Sequence, residues 1–191
     1  MPQAAVQGVA DTAFVREVRT DNLLEIRLGN LAAKRSTNAA VKQFAQRMVT
    51  DHTAMGNEWA ALANQLRLGT TSALDATQQQ LVSQLSSVPA ADFDRQYMST
   101  MVQDHQTNIA TFQRLGPSAQ QPALRQLAAK GLPTLEEHLT MAQQVANQVG
   151  AAVATNTTGL PERTSTGQVV KNNKAGNAAR ADDAYVQELW R

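Results

Sequence analysis

The segment VKQFAQRMVTDHTAMGNEWAALANQL occupies residues 41–66 and carries the clearest periodicity of the chain. Its apolar side chains recur every three to four residues, which is the spacing of one face of an α-helix. That face consists of Val41, Phe44, Ala45, Met48, His52, Met55, Trp59, Leu62, Ala63 and Leu66. A periodic run of this length predicts a long amphipathic helix that buries one side in a helical core.

Two further segments with the same period are bounded by residues that start or stop a helix. The first begins at Asp11, which we interpret as an N-cap, and it ends near Lys34. Residues 1–10 are then expected to form an extended lead-in. The other begins after Pro89, which suits the first turn of a helix, and it stops at Gly116.

The remaining helical segments complete the expected architecture. A fourth long helix begins at residues 120–122 and ends around Gly150. A short helix capped by Asp75 is long enough to carry the chain from one end of a bundle to the other. The sequence therefore predicts an all-α, up-down four-helix bundle with a short crossover helix, spanning residues 11–150.

Composition supports a helical bundle and argues against several functional classes. Hydrophobic residues make up 42% of the chain but aromatic residues only 4%, a profile that suits helices better than sheets. The formal net charge is +1, so electrostatics gives no argument for nucleic acid, and we expect no nucleic-acid partner. Cysteine is absent, which excludes disulfides and zinc–thiolate sites. No apolar run approaches a transmembrane length, and residues 1–10 lack the features of a signal peptide.

Beyond Gly150 the sequence changes character. Residues 151–191 are predicted to form a flexible tail, since most of them are small or polar without an apolar period. Residues 182–190 include Tyr185 and Trp190 and could form a short amphipathic helix. We interpret that segment as a contact with the bundle, with a partner or with a second copy in a homo-oligomer.

The chain has three histidines, and each directly follows an acidic residue. The pairs are Asp51–His52, Asp104–His105 and Glu137–His138. Helical periodicity puts all three imidazoles on apolar faces, where an ionisable ring needs a hydrogen-bond partner or a metal. Glu25 lies at a comparable level in the inward stripe of the first helix.

These positions suggest a mononuclear transition-metal site in the bundle core. Its predicted ligands are Glu25, His52, His105 and His138, and its predicted metal is zinc, copper or iron. The adjacent acids point about 100° away from the histidines, so they are expected to orient histidines on neighbouring helices. These acids are Asp51, Asp104 and Glu137, and Met48 and Met101 are expected nearby as thioether ligands for copper(I).

The alternative is a structural or interaction module in which the same side chains form only a hydrogen-bonded polar core. A ferritin-type di-iron centre fits poorly, because it requires Glu-x-x-His motifs. Val49, Val102 and Leu135 occupy the positions three residues before the histidines. Phosphate-binding loops and hydrolase motifs are not found in the sequence, so an enzymatic role is not favoured, and a redox enzyme that uses iron or copper is the weakest of the three interpretations.

Four segments together resemble the bacterial DUF4142 family. They are Glu25-Ile26-Arg27-Leu28-Gly29, residues 44–52 (FAQRMVTDH), Asp104-His105 and residues 132–139 (LPTLEEHL). The resemblance implies a ferritin-like four-helix bundle in an exported, envelope-associated protein, and hence a periplasmic or secreted location. It implies no reaction. The resulting expectation is a non-enzymatic bacterial envelope protein whose bundle core holds one metal ion.

Overall fold

The computed structural model describes residues 3–69 and 73–151, with side chains described from residue 10 onward. Within those residues the secondary structure is entirely α-helical, which confirms the predicted fold class. The helices are α1 (Gln3–Arg35), α2 (Ala39–Gln65), α3 (Ala76–Ser87), α4 (Ala90–Leu115) and α5 (Pro122–Val149). The predicted tail, including the proposed contact segment 182–190, lies outside the described residues.

Contacts at the two ends of α1 fix the direction of the other helices. Near the start of α1, Asp11 accepts hydrogen bonds from the backbone N–H groups of Gln120 and Gln121, just before α5. At the end of α1, Arg35 donates to the carbonyls of Leu85 at 2.7 Å and Ser86 at 2.8 Å, just before α4. Helix α1 therefore runs antiparallel to α2 and α4, the two long helices on which it packs. Helix α5 packs on the same two helices and is also antiparallel to both.

The crossover helix makes this arrangement possible. Because α2 and α4 run in the same direction, the chain must travel the length of the bundle between them, and α3 covers part of that distance along α1 and α4. Asp75 caps α3 by accepting from the backbone N–H of Gln78, while the Gln78 side chain accepts from the Asp75 backbone. The predicted crossover and its cap are therefore confirmed.

The start of the first helix differs from the prediction. Helix α1 begins at Gln3 rather than at Asp11, so residues 3–10 are helical and not an extended lead-in. Asp11 is 2% exposed inside α1, and its carboxylate binds the backbone amides that precede α5. An acidic side chain satisfies exposed amides whether they belong to its own helix or to a neighbour, and the local sequence does not distinguish the two cases.

The core is apolar at both ends and polar between them. At one end Phe14, Trp59 and Phe112 form a set of edge-to-face ring contacts. At the other end Phe44 packs edge-on against Tyr97. The histidines on α2 and α4 lie about two helical turns from each of these clusters. Among the described residues, none of the helices has the length and hydrophobicity that a membrane span requires.

Candidate metal centre

Three buried imidazoles from three helices form a compact triangle. His52 belongs to α2, His105 to α4 and His138 to α5. Their ring centroids are separated by 5.7 Å between His52 and His105, 5.2 Å between His52 and His138, and 5.4 Å between His105 and His138. One nitrogen of each ring lies within 4.8 Å of one nitrogen of each of the others. The structure thus brings together all three predicted histidine ligands.

The His52 ring is oriented by an asparagine of α1. Its Nδ1 lies 3.0 Å from Oδ1 of Asn22, and Nδ2 of Asn22 donates to the carbonyl of Val18 at 2.7 Å. Because the amide nitrogen of Asn22 is engaged, its oxygen is the acceptor, and the proton of His52 is on Nδ1. Asn22 was not among the site residues predicted from the sequence. The available signal was its position three residues before Glu25, which places the two on one side of the helix.

The His105 ring is oriented by its own helix. Its Nδ1 donates to the main-chain carbonyl of Met101, one turn earlier, at 2.8 Å. The carbonyl can only accept, so the proton of His105 is also on Nδ1. The Met48 and Met101 side chains are fully buried one turn before their histidines. The described contact between Met101 and His105 is through the backbone, and the predicted thioether ligation stays a prediction.

The His138 ring is oriented by an acid of the neighbouring helix α2. Its Nε2 donates to Oδ2 of Asp51 at 2.9 Å, and the same carboxylate accepts from Arg47. Partial burial alone would raise the pKa of Asp51, but hydrogen bonds from Arg47 and His138 outweigh that effect and lower the pKa. Asp51 therefore contacts a histidine on another helix rather than its sequence neighbour. Glu137 lies at the surface, with its Oε1 3.6 Å from Arg47.

The second nitrogen of each ring, which we call the inner nitrogen, carries no proton. Within the described residues, no hydrogen-bond partner is found for Nε2 of His52, Nε2 of His105 or Nδ1 of His138. A buried nitrogen lone pair without a partner is costly. Histidines that bind metals show this same division, in which one nitrogen is held by an outer acceptor and the other faces the ion.

Burial also keeps the rings in the form that binds metals. Loss of solvation lowers the pKa of His52 well below its usual range, and nearby His105 and His138 lower it further. Burial, together with nearby His138, lowers the pKa of His105 to about 3. Burial likewise lowers the pKa of His138, although the hydrogen bond to Asp51 opposes it. All three imidazoles are therefore neutral near pH 7 and available as ligands without a deprotonation cost.

The predicted fourth ligand, Glu25, lies elsewhere around His105. Its Oε1 is 3.5 Å from Nδ1 of His105, the protonated nitrogen that donates to the carbonyl of Met101. The carboxyl groups of Glu25 and Asp104 form a second close group with His105, which also belongs to the group of three histidines. The reason is geometric: α1 packs on α4, and it places Glu25 on the side of His105 where Nδ1 lies. The predicted four-residue set is therefore divided into two clusters that share one ring.

Comparison with known proteins identifies the family. The family model described as Domain of unknown function (DUF4142) matches residues 1–145, which is most of the chain. The chain belongs to this family. A search of curated proteins finds no match to this DUF4142 protein.

Two solved structures share the fold of this DUF4142 domain. One is a crystal structure of a DUF305 fragment from Deinococcus radiodurans, with a TM-score of 0.62 and 18% identity; the match covers 73% of this chain and 96% of the fragment. The other is CopM in the Cu(I)-bound form, with a TM-score of 0.60 and 16% identity; the match covers 72% of this chain and 96% of CopM. At such low identity the likeness establishes a common helical fold and nothing about activity.

Proposed function

We propose that this DUF4142 protein binds one transition-metal ion through Nε2 of His52, Nε2 of His105 and Nδ1 of His138. The observation that carries the proposal is the set of unpartnered inner nitrogens on rings whose outer nitrogens are all held by acceptors. A bundle core can supply one ligand from each facing helix in this way. The exposures of the three side chains are 2% or less, so the ion would be held away from water.

Copper(I) suits these ligands best among the predicted metals. Three neutral imidazoles contribute no negative charge, so a monovalent ion leaves a smaller buried net charge than zinc(II) or iron(II). The buried thioethers of Met48 and Met101 add soft donors on the same helices. A Cu(I)-bound structural neighbour is consistent with this choice. Mononuclear iron commonly takes two histidines and a carboxylate, and Glu25 lies on the far side of His105.

The proposed role is metal binding rather than catalysis. A catalytic metal keeps a position open for substrate or water, whereas these three rings are almost completely enclosed by protein. We place the protein in the bacterial envelope, in the periplasm or secreted, on the strength of the family resemblance. There, a buried three-histidine site would sequester an ion or hold it for delivery.

Titration of the untagged protein with copper(I) under anaerobic conditions, against a chromophoric chelator, tests the proposal. We expect one copper(I) per chain, a raised melting temperature, and loss of both in His52→Ala and His138→Ala. Thr140→Ala, on the exposed side of α5, is the matched control and should bind like the wild type. Circular dichroism checks that each variant is helical.

Failure of the wild-type protein to retain copper(I) or zinc, with no thermal stabilisation by either, would contradict the proposal. The alternative, a hydrogen-bonded polar core in a structural or interaction module, would then account for the histidines. It predicts that the histidine variants change the melting temperature by the same amount with and without metal.

A further inference from the structure

A row of acidic side chains lies along the interface between α1 and α4. Asp21 and Glu25 are one turn apart on α1, and Asp104 is on α4. Glu25 is 0% exposed and Asp104 is 1% exposed. A carboxylate oxygen of each lies within 4.8 Å of the other and of a His105 ring nitrogen. Glu25 lies on the side of His105 where Nδ1 is located, 3.5 Å from that nitrogen.

The cluster has more acceptor oxygens than donors. Among the described residues, no N–H or hydroxyl group donates to either oxygen of Glu25 or to Oδ1 of Asp104. The two carboxyl groups face each other and can share a hydrogen bond only when one of them is protonated. The other oxygen of Asp104 accepts from Nδ2 of Asn108 at 2.9 Å. Burial raises the pKa of Glu25 well above its usual range, and Asp104 and Asp21 raise it further. Buried carboxylates in this setting require a positive partner or protonation.

A separate polar group points to a ligand at the same place. The hydroxyl of Tyr97 is fully buried and, within the described residues, has no hydrogen-bond partner. Tyr97 precedes Asp104 by two helical turns on α4, which puts both on the side facing α1. Burial raises the pKa of Tyr97, and the nearby Glu25 raises it further. The unpartnered phenol oxygen of Tyr97 therefore lies near the carboxyl group of Glu25.

We propose that Glu25 and Asp104 bind a second cation, a hard divalent ion of the manganese, calcium or magnesium class, with Tyr97 and Asp21 completing its surroundings. The donors are all oxygen atoms, which such ions prefer, whereas the histidine triangle offers only nitrogen. His105 separates the two sites, because its Nδ1–H is directed to the carbonyl of Met101 and cannot ligate.

The acidic row continues outward from Glu25 toward the start of α3. Asp21 is half-buried, and its Oδ1 accepts a hydrogen bond from Nε2 of Gln78 at 2.9 Å. The charges of Glu17 and Asp75 act on Asp21 from farther out. Acidic side chains therefore continue from the start of α3 to Glu25, and the negative potential that they produce favours a cation.

Titration of the full-length, untagged protein with Mn²⁺, followed by electron paramagnetic resonance of the free ion, tests the second site. We expect one bound Mn²⁺ per chain, at least a tenfold loss of affinity in Glu25→Gln and in Asp104→Asn, and a smaller loss in Tyr97→Phe. Glu58→Gln changes an exposed carboxylate paired with Lys130 and serves as the matched control. Calcium should displace the manganese.

The two sites can fail independently. Glu25→Gln should keep the copper(I) stoichiometry, and His138→Ala should keep the Mn²⁺ affinity, because His138 contacts Asp51 and not the acidic row. Absence of Mn²⁺ and Ca²⁺ binding by the wild type would overturn the second site, whatever the copper result. Equal Mn²⁺ binding by Glu25→Gln, or loss of Mn²⁺ in a folded His138→Ala, would also overturn it.

Discussion

Asp51 of α2 accepts a hydrogen bond from Nε2 of His138 of α5, with 2.9 Å between the two atoms. The bond crosses a helix interface and fixes the His138 tautomer, so that the lone pair of Nδ1 is on the inner side. Asp51 in turn accepts from the half-exposed Arg47. Of the three rings, His138 is thus connected to a surface ion pair, while His52 and His105 are held by buried acceptors.

Replacing Asp51 with alanine should weaken copper(I) binding, because the His138 ring loses the acceptor that fixes its tautomer. Loss of such an outer partner typically lowers metal affinity about 10–100-fold. Chelator competition measures the change, and Glu137→Ala is the control, since its side chain is 58% exposed. Equal affinities for the two variants would show that Asp51 does not position the ring.

Replacing Asn22 with alanine should weaken copper(I) binding about tenfold, because the Nδ1–H of His52 would be left without its acceptor. The free energy of unfolding should also fall by about 1–3 kcal/mol. Asn30→Ala is a close control: Asn30 also donates to a carbonyl one turn earlier on α1, but from an exposed position. If Asn30→Ala weakens binding as much as Asn22→Ala, the role of Asn22 is wrongly assigned.

Gly29→Ala should destabilise the bundle. An added Cβ would lie 2.8 Å from Cγ2 of Val49 and 2.9 Å from the carbonyl oxygen of Ala45, so α1 and α2 would have to separate. We expect a loss of about 1–3 kcal/mol in urea unfolding. At Gly56 the same change meets only Cβ of Asn22 at 3.6 Å and should stabilise α2 by about 0.5–1 kcal/mol. Similar effects at both glycines would contradict this account of the helix contact.

Glu25→Gln should stabilise the metal-free protein increasingly as pH rises. Burial raises the pKa of Glu25, so above its unfolded-state pKa near 4.5 the native protein holds more protons at this group than the unfolded chain does. Wild-type stability therefore falls with pH in that window, by at most about 1.4 kcal/mol per pH unit for one proton. Glutamine does not titrate. Urea unfolding with a chelator at pH 4.5–8 measures the difference in the free energy of unfolding between the variant and the wild type. A difference that shrinks as pH rises would show that the native state lowers the pKa of Glu25 instead of raising it.

The fold could be predicted from the sequence because helical periodicity and cap residues are local. Asn38 and Asp75 cap the helices that follow them, and Gly150 ends α5 with φ of 68°. Asp11 shows the limit, since its carboxylate binds amides more than 100 residues away. Its role depends on how α1 packs beside the α4–α5 connection, which no local pattern records.

The candidate site was only partly predictable for the same reason. Spacing put the three histidines on inward faces at one level, but the choice of acceptor depends on rotation of the packed helices. Asn22 and the carbonyl of Met101 were missed, because neither residue type marks a site in a sequence. Glu25 was placed at the right level, yet the structure puts it beside the outer nitrogen of His105.

The most direct test of the metal centre is a long-range ¹H–¹⁵N correlation spectrum of the histidine rings in the untagged protein, with and without copper(I). The chain has three histidines, so each ring can be assigned by single substitution. Without metal we expect the proton on Nδ1 of His52 and His105 and on Nε2 of His138. With one equivalent of copper(I), the other nitrogen of every ring should shift. Unchanged ring nitrogens after addition of copper(I), or shifts confined to the nitrogens that carry protons, would contradict the three-histidine site.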